Sequence, residues 1–325
     1  MVQVIYWEKK ANLYNQWQTF ANKRDQMWGT TSLNLGPVLF LLYINDLPNC
    51  LEITKATLFA DDTIISHVKD IAAMKLKTNL IKILETLNKT KTEFMVIGFG
   101  YRLASIYENP VIRIGGDSIK RVSHKKSLGM TFDEQLKWDK YNDARCTKIS
   151  KNIALLRRAK LFVPQNTLTK MYNALVLPHF NYCTTIWNDG SCTNINKLSK
   201  LQRRAARVIT GETYDVRSIE ILEKLKWIPI DESLRNSETI MTFKALTKRL
   251  PNYLTDLFTK CENDNYNLRS NNTKLSQLKP KTNFLKRSFS YRAAKAWNEL
   301  PNEITGNFEN LSILSLKWRL KSAQS

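Results

Sequence analysis

Cysteine is scarce in this chain: five in 325 residues, at Cys50, Cys146, Cys183, Cys192 and Cys261, an odd number with no CxxC pair. That scatter excludes a disulfide framework and a run of zinc ligands, and the thiols read as reduced ones. Histidine is scarcer, with three residues. Only His179 and Cys183 stand at i, i+4 spacing. They offer two ligands where a tetrahedral zinc site takes about four, and Leu177, Phe180 and Tyr182 around them read as packing. Long apolar runs are missing as well. The longest, Val38 to Ile44, is far below the roughly 20 residues a spanning helix needs. The opening Met1-Val2-Gln3-Val4-Ile5-Tyr6-Trp7 meets charge at Glu8, unlike a secretory signal. The expectation is an intracellular protein, nuclear or cytoplasmic, without membrane contact.

Negative charge is the other shortage. Lys and Arg number 50 against 29 acids, for a net charge of +21 and a pI near 9.7. The excess is placed unevenly. Residues 1–110 hold 12 basic and 10 acidic residues, leaving 38 against 19 for residues 111–325. Solvated helix faces explain a modest basic excess; one this large favours a polyanionic partner, with nucleic acid the leading candidate. With 43% hydrophobic residues the chain has enough apolar material for one large or two ordinary domains.

Periodicity divides the chain into a mixed part and a helical part. Residues 1–35 carry Trp7, Trp17 and Trp28 with weak periodicity, compatible with a helix of no recognisable type. Pro37 opens an apolar helix through Ile44 that Pro48 closes. Residues 56–66 read as two β-prone runs around Asp61-Asp62, a hairpin with carboxylates at its tip. Helical spacing returns over 69–87, and Glu93–Ile97 and Val111–Ile114 are strand candidates. Beyond Trp138 helical spacing dominates: Ile149, Ile153, Leu156 and Leu161, then, past Pro164, Leu168, Met171, Tyr172, Leu175 and Val176. A basic amphipathic helix covers Lys197 to Ile209 and stops at Gly211. Residues 262–283 read as an exposed connection, before helices near 288–297 and 310–321.

Adjacent carboxylates on a hairpin flanked by apolar strands are what polymerases use to hold divalent metals against a triphosphate and a primer hydroxyl. Magnesium is a hard ion that takes oxygen ligands, so Asp suits it. By itself an Asp pair equally suits a polar hairpin tip. The neighbourhood separates the two. Leu35-Gly36-Pro37 through Tyr43-Ile44-Asn45-Asp46-Leu47-Pro48 is similar to the palm helix of reverse transcriptases from jockey-like non-LTR retrotransposons, and Phe59-Ala60-Asp61-Asp62-Thr63 resembles their catalytic hairpin. Leu87 through Gly98 resembles the next palm motif. Val122 to Gly129 with Asp133, Leu136 and Trp138 resembles the segment leading into the thumb. Pro178 to Cys183, Leu201 to Gly211 and Phe284 to Tyr291 extend the likeness through the C-terminal region.

The resemblance implies an α+β chain: a partial palm over 36–116, a thumb-like helical region over 117–190 and a basic helical region over 191–325, after an unassigned leader over 1–35. It implies an RNA-directed DNA polymerase with Mg²⁺ or Mn²⁺, an RNA template and a DNA primer or target as partners. Asp61 and Asp62 face the metals, and Lys91 stands near the incoming triphosphate; a solvated strand-end lysine is the alternative for Lys91. For phosphate contacts the basic helices offer Lys148, Lys151, Arg157, Arg158, Lys200, Arg203, Arg204 and Arg207.

Two departures qualify the activity. The family's first catalytic Asp lies upstream of the Gly36-Pro37 segment, beyond the fingers, and the chain starts too late to hold it. Glu8 and Asp25, the acids before Asp46, lack the strand-like, aromatic-rich setting of that residue. Trp28 to Asn34 replaces the Pro-Gln-Gly turn. The expectation is a catalytically incomplete polymerase; the alternative is a non-catalytic, basic nucleic-acid-binding remnant.

Overall fold

β-prone runs within residues 1–141 pair with one another, and the periodic apolar residues beyond them pack as helices, so the chain divides into units Met1–Tyr141 and Asn142–Ser325. The computed structural model describes residues 3–9, 55–59, 62–68, 92–105, 112–114, 117–261, 274–277, 279–305, 308 and 311–322. The expected helices over 37–48 and 69–87, and residues Asp61 and Lys91, lie outside these.

In the first unit the strands are β1 (Gln3–Lys9), β2 (Lys55–Phe59), β3 (Asp62–Val68), β4 (Glu93–Ile97), β5 (Arg113–Ile114), β6 (Asp117–Ser118), β7 (Lys120–Arg121), β8 (His124–Ser127) and β9 (Met130–Asp133). Five form one sheet in the order β2-β3-β1-β4-β7. β2 and β3 make the hairpin expected from the sequence, with Phe59 opposite Asp62 as the last pair. The leader corrects an expectation: residues 3–9 are a strand, not a helix, and β1 sits between β3 and β4, antiparallel to both. Its register is fixed by long-range pairing rather than by local periodicity, which is why the local pattern is weak.

β4 is the buried strand, with Phe94, Met95, Val96 and Ile97 all inside. Met95 and Ile97 pack with Ile64, Val122, Phe132 and Leu136. β8 and β9 form a hairpin whose two turn residues, Leu128 and Gly129, both have positive φ, at 47° and 79°, the geometry that matches the twist of a tight hairpin. Asp133 organises the loop after β9. Its carboxylate accepts the backbone N–H groups of Gln135 and Lys137, each at 3.0 Å, and of Trp138 at 2.9 Å. Leu136 and Trp138 are held at positive φ in this loop, and Trp138 is buried edge-on against Phe132.

From Asn142 on the chain is helical: α1 (Asp139–Ala159), which begins three residues before that boundary, α2 (Gln165–Leu175), α3 (Cys192–Thr210), α4 (Ser218–Lys224), α5 (Ile230–Leu246), α6 (Phe289–Asn298) and α7 (Ile313–Ser322), with short helical turns between them. Ile149, Ile153 and Leu156 are buried as their spacing predicts. Leu161 is not: Pro164 ends the helical path, and Leu161 stands 82% exposed beside Phe162 at 84%. α5 is the hub, packed against α3, α6, α7 and the turn Thr184–Trp187. Phe243, Trp297, Phe308, Leu316 and Leu320 form the C-terminal core. Leu275 joins them, where the sequence suggests an exposed connection. Asn298 pins it by donating to its carbonyl at 2.9 Å and accepting its N–H at 2.8 Å.

A buried ion pair ties α5 to α6. Glu238 Oε1 accepts from Arg292 Nη2 at 2.7 Å, from Arg292 Nε at 3.0 Å and from Asn188 Nδ2 at 2.9 Å. Burial pushes the Glu238 carboxyl up from its ordinary range, against the opposing pull of Arg292 and Asn188. Among the described residues Cys146, Cys183, Cys192 and Cys261 are free thiols, and no described helix is long and apolar enough to cross a membrane.

Candidate nucleic-acid interface

α3 is amphipathic for a local reason. Leu198, Gln202, Ala205, Ala206, Val208 and Ile209 recur at helical spacing and are buried, which turns Lys200, Arg203 and Arg204 outward. The helix ends at Gly211, whose φ of 80° makes a left-handed cap and whose N–H donates to the Arg207 carbonyl at 2.9 Å. α1 runs beside α3 in the same direction. Asp143 near its start pairs with Lys197 at 2.6 Å, and Lys160 just past its end lies over Gly211.

This parallel arrangement brings the two helix C-termini together around a groove of about 440 Å³ lined by Arg157, Lys160, Lys200, Arg203, Arg204, Arg207, Glu212 and Tyr214. Arg157, Lys160, Lys200, Arg203 and Arg204 are exposed and have no ion pair among the described residues. Cations near a helix C-terminus can simply offset the macrodipole. Two such ends carry only about half a negative charge each, and Glu212 is already paired with Lys224 at 2.6 Å. Five unpaired cations exceed that demand, so the groove keeps a positive surplus toward solvent.

Arg207 has a different role. It is half-buried, and its Nη1 donates to the Thr213 carbonyl while Nη2 donates to the Val216 carbonyl and Ser218 Oγ, both at 3.0 Å. Its guanidinium also lies 5.1 Å from the centre of the Tyr214 ring. Arg207 therefore clamps the loop 211–218 rather than offering a free cation.

The eight basic residues picked out by sequence are thus divided. Arg157, Lys200, Arg203, Arg204 and Arg207 line the groove. Lys148, Lys151 and Arg158 share another stripe of α1, away from Ile149, Ile153 and Leu156. Lys160 and Tyr214 belong to the groove and were missed, because neither falls in the periodic part of a helix. The aromatic beside a basic helix was the available signal.

At the sheet, Asp62 begins β3, opposite Phe59 of β2 and Lys9 of β1. Glu8 does lie on a strand after Tyr6 and Trp7, which corrects the expected setting of that residue. It pairs in register with Thr63, so strand alternation puts positions 8 and 62 on different faces of the sheet. No three His, Cys, Asp or Glu converge among the described residues. Asp61, the neighbour of Asp62 in the sequence, lies outside the described residues. His179 is held below its ordinary pKa by burial, with Lys148 and Arg145 adding to the effect.

No protein-family model matches the chain. It is 23% identical over 219 residues to the RNA-directed DNA polymerase from mobile element jockey of Drosophila funebris, covering 62% of this chain and 24% of that protein. It is 25% identical over 210 residues to a probable RNA-directed DNA polymerase from transposon X-element of Drosophila melanogaster, covering 59% and 22%. A probable RNA-directed DNA polymerase from transposon BS of the same organism is 26% identical over 223 residues, covering 62% and 24%. The chain spans about a quarter of the length of these curated relatives.

Proposed function

We propose that this chain, which is similar to jockey-like reverse transcriptases, holds nucleic acid through the groove between α1 and α3 as part of RNA-directed DNA synthesis. The observation that carries the reading is the convergence of Arg157, Lys160, Lys200, Arg203 and Arg204, unpaired among the described residues, on one groove. Guanidinium groups suit phosphate because their planar fork can donate two parallel hydrogen bonds to its oxygens.

The resemblance supports nucleotidyl transfer at Asp61 and Asp62 with Mg²⁺ or Mn²⁺, and with Lys91 near the triphosphate. A basic nucleic-acid-binding role without catalysis is the second reading. It is favoured by the groove, which is built wholly from the second unit and needs none of those three residues. Primer extension on an RNA template separates the two. Incorporation that disappears in Asp61→Asn/Asp62→Asn supports the polymerase, and binding without incorporation supports the second reading.

The groove itself is tested by salt dependence. Each neutralised phosphate contributes roughly 0.7 to the slope of log K against log salt for single strands. Arg157→Glu/Arg203→Glu/Arg204→Glu removes three groove cations, so fluorescence anisotropy with a labelled RNA should give a slope flatter by about 2. Lys148→Glu/Lys151→Glu/Arg158→Glu makes the same change in net charge on the other stripe of α1 and should flatten it much less. Equal slopes for the two variants would sink the assignment.

A further inference from the structure

Tyr214 is 86% exposed. A tyrosine that is mostly in water contributes little to a core, yet this one is held in place. Arg207 fixes the loop on both sides of it through Thr213, Val216 and Ser218, and its guanidinium lies 5.1 Å from the ring centre. The loop begins at Gly211, whose left-handed cap turns the chain back across the end of α3. The ring is thus an exposed flat surface on a hydrogen-bonded loop, among the residues that line a cationic groove.

A second depression, of about 470 Å³, adjoins the first. It shares Arg203, Arg207, Tyr214 and Ser218 with the basic groove and adds Ser199, Asp215, Arg217 and Asp231. Its character differs, because Asp215, Asp231 and Ser199 stand there beside Arg203, while Arg207 is engaged by the loop carbonyls and Arg217 by Glu220 at 2.6 Å. The groove suits phosphates; the second depression offers acceptors for the exocyclic amines of a base. Tyr214 lines both.

We propose that Tyr214 is a stacking platform for an unpaired nucleobase, so that the groove selects a single-stranded polynucleotide over a duplex. The backbone runs along Arg203, Arg204 and Arg157, and one base leaves the strand to lie on the ring and lean toward Asp215 and Asp231. A duplex cannot make this contact without extruding a base, because its faces are already stacked inside the helix. Arg207 is a positioning residue, acting through the ring.

The proposal rests on the groove being the nucleic-acid contact, and the test separates the two. Anisotropy titrations of the full chain use a fluorescein-labelled oligo(A) as single-stranded RNA, the same sequence as single-stranded DNA, and a blunt duplex of equal length. Tyr214→Ala should weaken both single strands by at least about fivefold, the lower end for loss of one stacked base, and leave duplex affinity and the salt slope as they were. Tyr214→Phe should keep the wild-type affinity, since the ring rather than the hydroxyl does the stacking. Arg203→Glu/Arg204→Glu should weaken all three probes and flatten the slope.

Unchanged single-strand affinity in Tyr214→Ala overturns the platform while leaving the groove standing. So does an equal loss on the duplex, or a loss in Tyr214→Phe as large as in Tyr214→Ala. Unchanged binding in Arg203→Glu/Arg204→Glu overturns the groove, and the platform with it. A loss on RNA but not on DNA would overturn the ring-only account, since both present the same base faces.

Discussion

Replacing Arg292 by Met should cost the second unit about 3 kcal/mol at neutral pH, the low end for breaking one side of a buried ion pair. The side chains of Glu238 and Arg292 are 5% and 13% exposed, so water cannot take over the lost partner. Arg292 supplies two of the three hydrogen bonds to Glu238 Oε1, and Asn188 alone would be left to donate there. Methionine keeps the aliphatic volume, so the loss reports charge rather than a cavity. For a unit of this size about 3 kcal/mol corresponds to a fall of roughly 6–12 °C in melting temperature, read by circular dichroism at the helical minimum.

Proton linkage gives the same prediction a second signature. Burial already raises the Glu238 carboxyl above its usual value of 4.5, and Arg292 is the main influence opposing it. Between that value and the raised one the folded state binds more protons than the unfolded state, so stability is full at low pH and declines as pH rises through the folded pKa. Removing Arg292 raises the folded pKa further and extends the decline toward neutrality. The variant should therefore lie nearest the wild type around pH 4 and furthest from it at pH 7. Glu238→Leu/Arg292→Met, which removes both charges, should recover much of the loss. A melting temperature within about 2 °C of wild type at pH 7, or a penalty that is the same at both pH values, would refute this account.

Gly211→Val should cost about 1–2 kcal/mol by forcing a branched residue to a φ of 80°, while Gly211→Asn should cost less, since Asn tolerates that conformation. A Cβ there meets Lys160 Nζ at 3.0 Å, a flexible tip that can move, so equal costs for Val and Asn in chemical denaturation would contradict the backbone explanation. In the first unit, Asp133→Ala strips the acceptor from three backbone N–H groups and should destabilise it by roughly 1–3 kcal/mol. Hydrogen exchange of the Gln135, Lys137 and Trp138 amides should accelerate, and unchanged protection there would show that the loop does not depend on Asp133.

Local chemistry made several features legible in the sequence. The β2–β3 hairpin follows from two β-prone runs around a polar break, and β4 from the apolar run Phe94 to Ile97. α3 follows from Leu198, Ala205 and Val208 at helical spacing with Gly211 as its stop. Motif order over residues 35–63 and beyond carried the likeness to reverse transcriptases, and the similarity to the Drosophila polymerases agrees with it. Each of these depends on residues within a few turns or one hairpin of each other, where sequence distance and spatial distance nearly coincide.

Tertiary packing decided the rest. β1 lies between β3 and β4, whose residues are more than fifty positions away, so its own alternation could not announce a strand. Leu161 matched the helical spacing and is exposed, because the chain turns at Pro164. Glu238 and Arg292 meet across 54 positions, and nothing near either one reveals the other. The sequence by itself determined that the C-terminal part is basic and which faces of α1 and α3 are charged. Only the parallel course of those helices decided which cations share a groove, because each helix turns its charges away from its own apolar stripe and the direction of that stripe is set by its packing partners. The tertiary structure likewise assigned Arg207 to the loop and left Tyr214 exposed beside the groove.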